Sequence, residues 1–310
     1  MATLQEIADK SIKCGSSAAD TGQLGCQVEF GTPLHGIGMK KGFTIPKDTV
    51  FDLEYIAEQT QLGNFIPAIS ADSFEDLSSE DGLYTNSRGV EKLSTPGLAK
   101  YKLTFQSGHE FYKELSKLTS FKSLDWIWAD DAGNWRMAVT SNGDFKGFSS
   151  GQTLAMMTKT KVQGGDPESK SLTVQMLSRS EWDYNYAIVE RMLLTFEPEE
   201  VDGVNGVEVI LAPAAPAATS ISFKIVLAAD RDTPVSGLET ADFLYTVNGT
   251  QTVITVTESA VEPGLYTGVV AATVATKVLQ VGTFDSTKTV TAVIKEGVLY
   301  RGASNAVTVV

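Results

Sequence analysis

Ala99-Lys-Tyr-Lys-Leu-Thr-Phe105, Ser107-Gly-His-Glu110, Asp125-Trp-Ile-Trp-Ala129 and Trp135-Arg-Met-Ala-Val139 follow one another in the stretch that decides how this chain folds. In the first, Tyr101, Leu103 and Phe105 alternate with Lys100, Lys102 and Thr104, the period-two pattern of a half-buried strand. The second has the spacing of a capping box, Ser107 to Glu110. Behind it Phe111, Tyr112, Leu115 and Leu118 form an apolar stripe, so a helix over 108–118 is expected to pack on a sheet. The last two pieces flank the turn Asp130-Asp-Ala-Gly-Asn134 as a hairpin, and Trp126, Trp128 and Trp135 on its strands are expected in the core.

Working outward, Thr3-Leu-Gln-Glu6 is a second capping box and opens a short amphipathic helix. Seven glycines between Gly15 and Gly42 mark an N-terminal arm, with one strand expected at Gln27–Phe30. Thr49 to Ile56 reads as a strand with Phe51, Leu53 and Tyr55 inward and Asp52, Glu54 and, by parity, Glu58 outward. Residues 67–97 show little periodicity and much Ser, Gly and acid, the signature of a long binding or mobile loop. Further strands are expected over 152–158, 170–179 and 187–196, the first two separated by a turn at Gln163–Pro167.

Leu211-Ala-Pro-Ala-Ala-Pro-Ala-Ala218 has the composition of a semi-rigid linker, and the chain changes character across it. Residues 1–211 hold 30 acidic against 19 basic side chains, residues 219–310 only 8 against 6, and the whole carries −13. Asp242 to Val256 reads as two strands joined by Asn248-Gly249, the pair that favours a type I′ hairpin. The expected architecture is therefore mainly β: a sandwich- or barrel-forming domain with a flanking helix over 1–211, a Pro/Ala linker over 212–218, and a small Ig-like β-sandwich over 219–310.

The acidity argues against gripping phosphate backbones. The first ten residues lack a basic region followed by an apolar run, and no segment reaches membrane-spanning length, so neither export by the usual route nor membrane insertion is expected. Cys14 and Cys26 are accordingly expected to be reduced.

No catalytic, cofactor or metal site is expected. Gly147-Phe-Ser-Ser-Gly151 matches the nucleophile-elbow pattern around Ser149, but both histidines, His35 and His109, precede it, whereas that fold supplies histidine afterwards. Asp130, Asp131 and Asn134, like Asp230 and Asp232, lack calcium-loop spacing and read as turn residues. Gly36-Ile-Gly38 never reaches a third glycine, so no dinucleotide fingerprint is present. Asn248-Gly-Thr250 is a glycosylation sequon by letter and a hairpin turn by conformation.

Thr233-Pro-Val-Ser-Gly-Leu238, Tyr245-Thr-Val-Asn-Gly-Thr250 and Pro263-Gly-Leu-Tyr-Thr267 look like turns and strands of bacterial Ig-like modules, without the Cys, Trp, Cys set of antibody domains. Together with the acidic β domain, central helix and long loop, the layout resembles a tailed-bacteriophage virion protein, specifically a tail tube protein with a C-terminal Ig-like domain. The resemblance implies a virion component assembled in the host cytoplasm, in stacked homo-oligomeric rings, usually hexameric, contacting other virion proteins. DNA would pass the channel without specific binding. In such a ring Asp52, Glu54 and Glu58 would face the channel, and the loop acids Asp72, Glu75, Asp76, Glu80 and Asp81 would serve contacts between rings. In an isolated domain the same strand face would be solvated and paired with Lys100 and Lys102. Capsid decoration, head fibre and neck or baseplate ring are alternative virion roles. A surface binding module and an enzyme with an accessory domain are alternatives from other classes, the latter opposed by the poverty of histidine.

Overall fold

The computed structural model describes residues 2–11, 30–68, 70–120, 124–159, 168–201, 203–213, 215, 217–228, 231–273, 277–283, 293–295, 298–302 and 304–309. Cys14, Cys26, Asp230, the Gln163–Pro167 turn and all but Phe30 of the strand expected at 27–30 lie outside them. The chain is mainly β, in several sheets. It divides into one compact unit of residues 1–52 and 63–201 and another of residues 53–62 and 202–310. Among the described residues no helix is long and apolar enough to cross a membrane.

Helix α1, Leu4–Ser11, begins with the expected box: the Thr3 N–H donates to Glu6 Oε2 at 3.1 Å and the Glu6 N–H to Thr3 Oγ1 at 3.4 Å. Residues 49–56 do not form the expected strand. Leu53–Gln61 is instead a helix, α2, placing Leu53, Ile56 and Ala57 at i, i+3 and i+4 with Ile56 and Ala57 buried. Gly63, at φ 73°, takes the left-handed conformation that commonly ends a helix. Asp52, Glu54 and Glu58 therefore do not alternate along a strand: Asp52 precedes α2, and Glu54 and Glu58 are one turn apart within it. The apolar run Phe51, Leu53, Tyr55 satisfies a period of two over a window too short to exclude a period of 3.6.

In the first unit the strands are β1 Pro33–Lys40, β2 Phe65–Ala68, β3 Ser73–Asp76, β4 Gly82–Thr85, β5 Glu91–Thr95 and β6 Lys100–Phe105. After helix α3, His109–Lys117, come β7 Leu124–Asp130, β8 Trp135–Val139, β9 Phe145–Lys146, β10 Phe148–Lys159 and β11 Ser169–Met176. Helix α4, Arg179–Asp183, and β12 Tyr186–Val189 complete it. The main sheet runs β12-β8-β7-β10-β11-β6-β3, with β1 added to β7, β2 to β1 and β9 to β8, every pairing antiparallel. The segment expected as a strand over 187–196 is a strand only as far as Val189; Arg191–Leu193 forms a 3₁₀ turn.

Every residue of β7 is buried, and Trp126 and Trp128 stack with ring centroids 5.4 Å apart. Both lie over Gly36 of β1, where an added Cβ would meet them at 3.2 and 3.1 Å. Tyr101, Leu103 and Phe105 join them from β6, and Tyr112, Leu115 and Leu118 from the helical side, in one core cluster. The expected Ser107 box does not form. Gly108, at φ 92°, is the N-cap and makes no side-chain cap bond, so α3 starts at His109 with the box residues out of step.

The second unit holds β13 Val204–Leu211, β14 Ser220–Leu227, β15 Phe243–Val247, β16 Thr250–Thr252 and β17 Thr255–Glu258. Then follow β18 Leu265–Val269, β19 Val278–Thr283, β20 Val293–Lys295, β21 Val298–Arg301 and β22 Val307–Thr308. Two sheets, β17-β18-β14-β13-β21-β20 and β16-β15-β19-β22, form a small sandwich over a core that includes Phe223, Phe243 and Tyr266. Asn248 and Gly249 both have positive φ, 50° and 77°, as a type I′ turn requires. The contact boundary falls at Val201/Asp202, ahead of the Pro/Ala stretch. That stretch joins β13 to β14, which pair with each other from Leu211↔Phe223 onward. Helix α2 belongs to this unit, with Ala57 packed on Leu299 and Ile294.

Candidate assembly surface

Within residues 67–97, expected as loop, the structure places β3 and the hairpin β4–β5. Among the described strands the two of the hairpin pair only with each other, and nearly every residue in them is exposed. Leu83, Tyr84, Val90 and Leu93 are 59, 50, 53 and 52% exposed. A two-stranded hairpin without a packed face is marginal on its own, so its base and tip must hold it. At the tip, Asn86 Oδ1 accepts from the Arg88 and Val90 N–H groups at 2.9 and 3.1 Å. At the base, Ser79 Oγ accepts from the Leu98 N–H at 3.0 Å and Ser78 Oγ from the Lys100 N–H at 3.1 Å. A Cβ on Gly97 would lie 2.2 Å from the Ser79 carbonyl oxygen, so the two strands approach this closely only because residue 97 is glycine.

Asp81 completes the base. Its Oδ1 accepts from the Gly97 N–H at 2.7 Å and pairs with Arg179 of α4, whose Nε also donates to Asp183 Oδ2 at 2.8 Å. The Gly97 N–H first, and the Arg179 guanidinium after it, hold the Asp81 carboxyl below its ordinary range. A cleft of about 290 Å³, lined by Ser78, Asp81, Arg179, Trp182 and Asp183 among others, opens at this base. Because the ion pair is exposed, Arg179→Ala is expected to leave the fold intact. It should accelerate hydrogen exchange of the amides of 82–95 by about 1.4- to 5-fold, the range for one exposed pair. Unchanged exchange there would show that Arg179 does not clamp the hairpin.

Four of the five loop acids bind the chain's own backbone or a cation. Asp72 Oδ2 accepts from the Gln106 N–H at 2.6 Å, Asp76 Oδ1 from the Ser78 N–H at 2.8 Å, and Asp81 acts as above. Glu75 lies directly across from Lys102 and pairs with it at 2.7 Å. Lys102 thus faces a carboxylate of β3 in place of the strand acids expected opposite it. Glu80 is exposed.

The other candidate chemistries resolve locally. Ser149 sits inside β10, and not on a strand-to-helix turn, with its N–H and hydroxyl donating to Glu181 at 2.9 and 3.1 Å. Glu181 also pairs with Lys146 at 2.5 Å. Gly147 is demanded by packing, since a Cβ there would lie 2.7 Å from the Trp126 backbone nitrogen. The Asp130 carboxylate accepts from the Gly31, Ala132 and Asn134 N–H groups and from Asn134 Nδ2, at 2.7 to 3.1 Å, and so organises the hairpin turn. Among the described residues no group of three or more His, Cys, Asp or Glu is placed to hold a metal ion.

Arg136 was not foreseen. Its guanidinium lies 3.9 Å from the Trp182 ring centroid and 4.2 Å from that of Tyr186, and burial lowers its pKa. Arg179 was equally hidden in the sequence, because its partner Asp81 lies 98 positions away. The exposed leucines were legible as letters, but nothing local says that the fold leaves them exposed.

No family model matches this chain, and no curated protein matches it in sequence.

Proposed function

We propose that this chain is a structural, self-assembling protein of a tailed-bacteriophage virion. Its closest functional type is a tail tube protein, whose copies stack as homo-oligomeric rings, six to a ring, around a channel that DNA passes without specific binding. The second unit is then an Ig-like module presented to other virion proteins or to the surroundings, and the protein resides in the virion after assembly in the host cytoplasm. The observation that carries this reading is the β4–β5 hairpin: clamped at its base, ordered at its tip and exposing four large apolar side chains. A monomer gains nothing from such a projection, and a neighbouring subunit that covers it does. The charge of −13 supports a channel that repels DNA.

The role in this reading is structural, and Ser149 lies within β10 with its N–H and hydroxyl donating to Glu181 rather than on a strand-to-helix turn. Asp52, Glu54 and Glu58 do not form one alternating strand face, because Leu53–Gln61 is the helix α2. Negative-stain microscopy with sedimentation of the full chain tests the proposal. Rings or tubes are expected, and a protein that stays monomeric at about 100 μM, well above the Kd of a stable interface, would overturn it.

A further inference from the structure

Residues 182–186, which join α4 to β12, carry Trp182, Tyr184 and Tyr186 at every second position. Arg136 holds this segment: its Nη2 donates to the Trp182 carbonyl oxygen at 2.6 Å, and its guanidinium lies against the Trp182 and Tyr186 rings. The Asn185 N–H donates to the Ser180 carbonyl, and the Asn185 carbonyl accepts from the Val139 N–H, each at 2.9 Å. On this fixed backbone Tyr184 stands 79% exposed, the most exposed aromatic side chain among the described residues. A large ring held open to water on a rigid segment is pre-organised for a ligand, because little freedom remains to be lost on contact.

Two clefts adjoin on this segment. One, of about 330 Å³, is lined by Val139, Thr140, Ser141, Tyr184, Asn185 and Tyr186. The other is the cleft at the hairpin base, of which Trp182 and Asp183 are part, so the two meet at the successive residues Asp183 and Tyr184. Their lining narrows the ligand class. Val139 is the one aliphatic side chain of the first cleft, which disfavours a lipid or an apolar peptide. No charged side chain lines that cleft, and in the second Arg179 is paired with Asp81 and Asp183, so neither an anion nor a cation finds an unpaired counter-charge. What is offered is hydroxyl and amide groups that both donate and accept, beside exposed aromatic rings.

We propose that these clefts bind a neutral oligosaccharide, with Tyr184 as the ring on which a sugar stacks. A pyranose has a C–H face apolar enough to lie on a tyrosine and hydroxyls that exchange hydrogen bonds in both directions, the combination that Tyr184, Ser141 and Asn185 present together. Thr140 Oγ1 already accepts from the Asp144 N–H at 3.1 Å and keeps its own hydrogen to donate. Each cleft is at the small end of the range for ligand sites, roughly 300–1,000 Å³, so the pair suits a chain of a few sugar units. This site goes beyond the assembly proposed above and stands whether or not rings form.

Titration calorimetry and saturation-transfer NMR of the full chain test it, with maltotetraose and chitotetraose as neutral probes and a hyaluronan tetrasaccharide as the anionic one. At least one neutral probe should bind saturably below about 10 mM, ten times a Kd of about 1 mM, and more tightly than hyaluronan. Tyr184→Ala should weaken that binding about two- to tenfold, the worth of one aromatic contact, and Asn185→Ala by a similar factor, the worth of one neutral hydrogen bond. Both side chains are exposed, so the circular dichroism of the variants should match that of the wild-type protein. Absence of binding by both neutral probes overturns the proposal. Hyaluronan binding as tightly as the neutral probes overturns the ligand class, and variants that bind like the wild-type protein overturn the site.

Discussion

Trp126→Ala is expected to destabilise the first unit by about 3–5 kcal/mol, the range for removing a large aromatic from a packed core. Trp126 is fully buried, stacks on Trp128 with an interplanar angle of 17°, and donates its Nε1–H to Thr153 Oγ1 at 3.2 Å. Truncation opens a cavity against Gly36, which has no side chain to refill it, and leaves the Thr153 hydroxyl, only 3% exposed, without its donor. Against a typical domain stability of about 5–15 kcal/mol this is a large fraction. Urea denaturation followed by tryptophan fluorescence measures it cleanly, because Trp126, Trp128, Trp135 and Trp182 all belong to the first unit. A loss below about 1.5 kcal/mol, the scale of a tolerated volume-conserving swap, would mean that the stacked pair is not central to this core.

Acid should weaken the first unit before its carboxylates titrate, through His35. The His35 ring is 4% exposed on β1, its Nδ1 accepts from the Ser70 N–H at 3.1 Å, and its Nε2 lies 3.3 Å from Glu199 Oε1. Protonating Nδ1 would take away the acceptor that Ser70 uses. Burial lowers the pKa of His35 from 6.5, and the opposing pull of Glu199 and Asp130 is smaller. A histidine with a depressed folded pKa leaves the unfolded chain holding more protons just below pH 6.5, so stability is complete above that pH and falls as pH drops through the window beneath it. The slope is at most one proton's worth, about 1.4 kcal/mol per pH unit. His35→Asn keeps an acceptor for the Ser70 N–H and cannot titrate. Its stability should therefore lack this component between about pH 7.5 and pH 5.5, where the wild-type protein shows it. Superimposable pH profiles for the two proteins would exclude His35 as the titrating group.

Local pattern determined a good deal of this protein. The alternation at Tyr101, Leu103 and Phe105, the stripe Tyr112, Leu115, Leu118, the Thr3–Glu6 cap and the Asn248-Gly249 turn each depend on residues a few positions apart, and each stands in the structure. Their physics is contained within one strand, one helical turn or one hairpin. Where a short window fits two periods, as at 49–56, sequence alone does not choose. There the outcome is a helix whose Ala57 packs on Leu299 of the distant chain. Partners remote in sequence also decided that β13 pairs with β14 across the Pro/Ala stretch, that Arg179 clamps Asp81, and that Glu75 and not Asp52 or Glu54 meets Lys102. The candidate surface belongs to this second class. Leu83 and Leu93 are apolar in any reading of the chain, but their exposure follows from where the sheet ends and from what the rest of the unit leaves uncovered. Burial is a property of the assembled neighbours, and no local period encodes it.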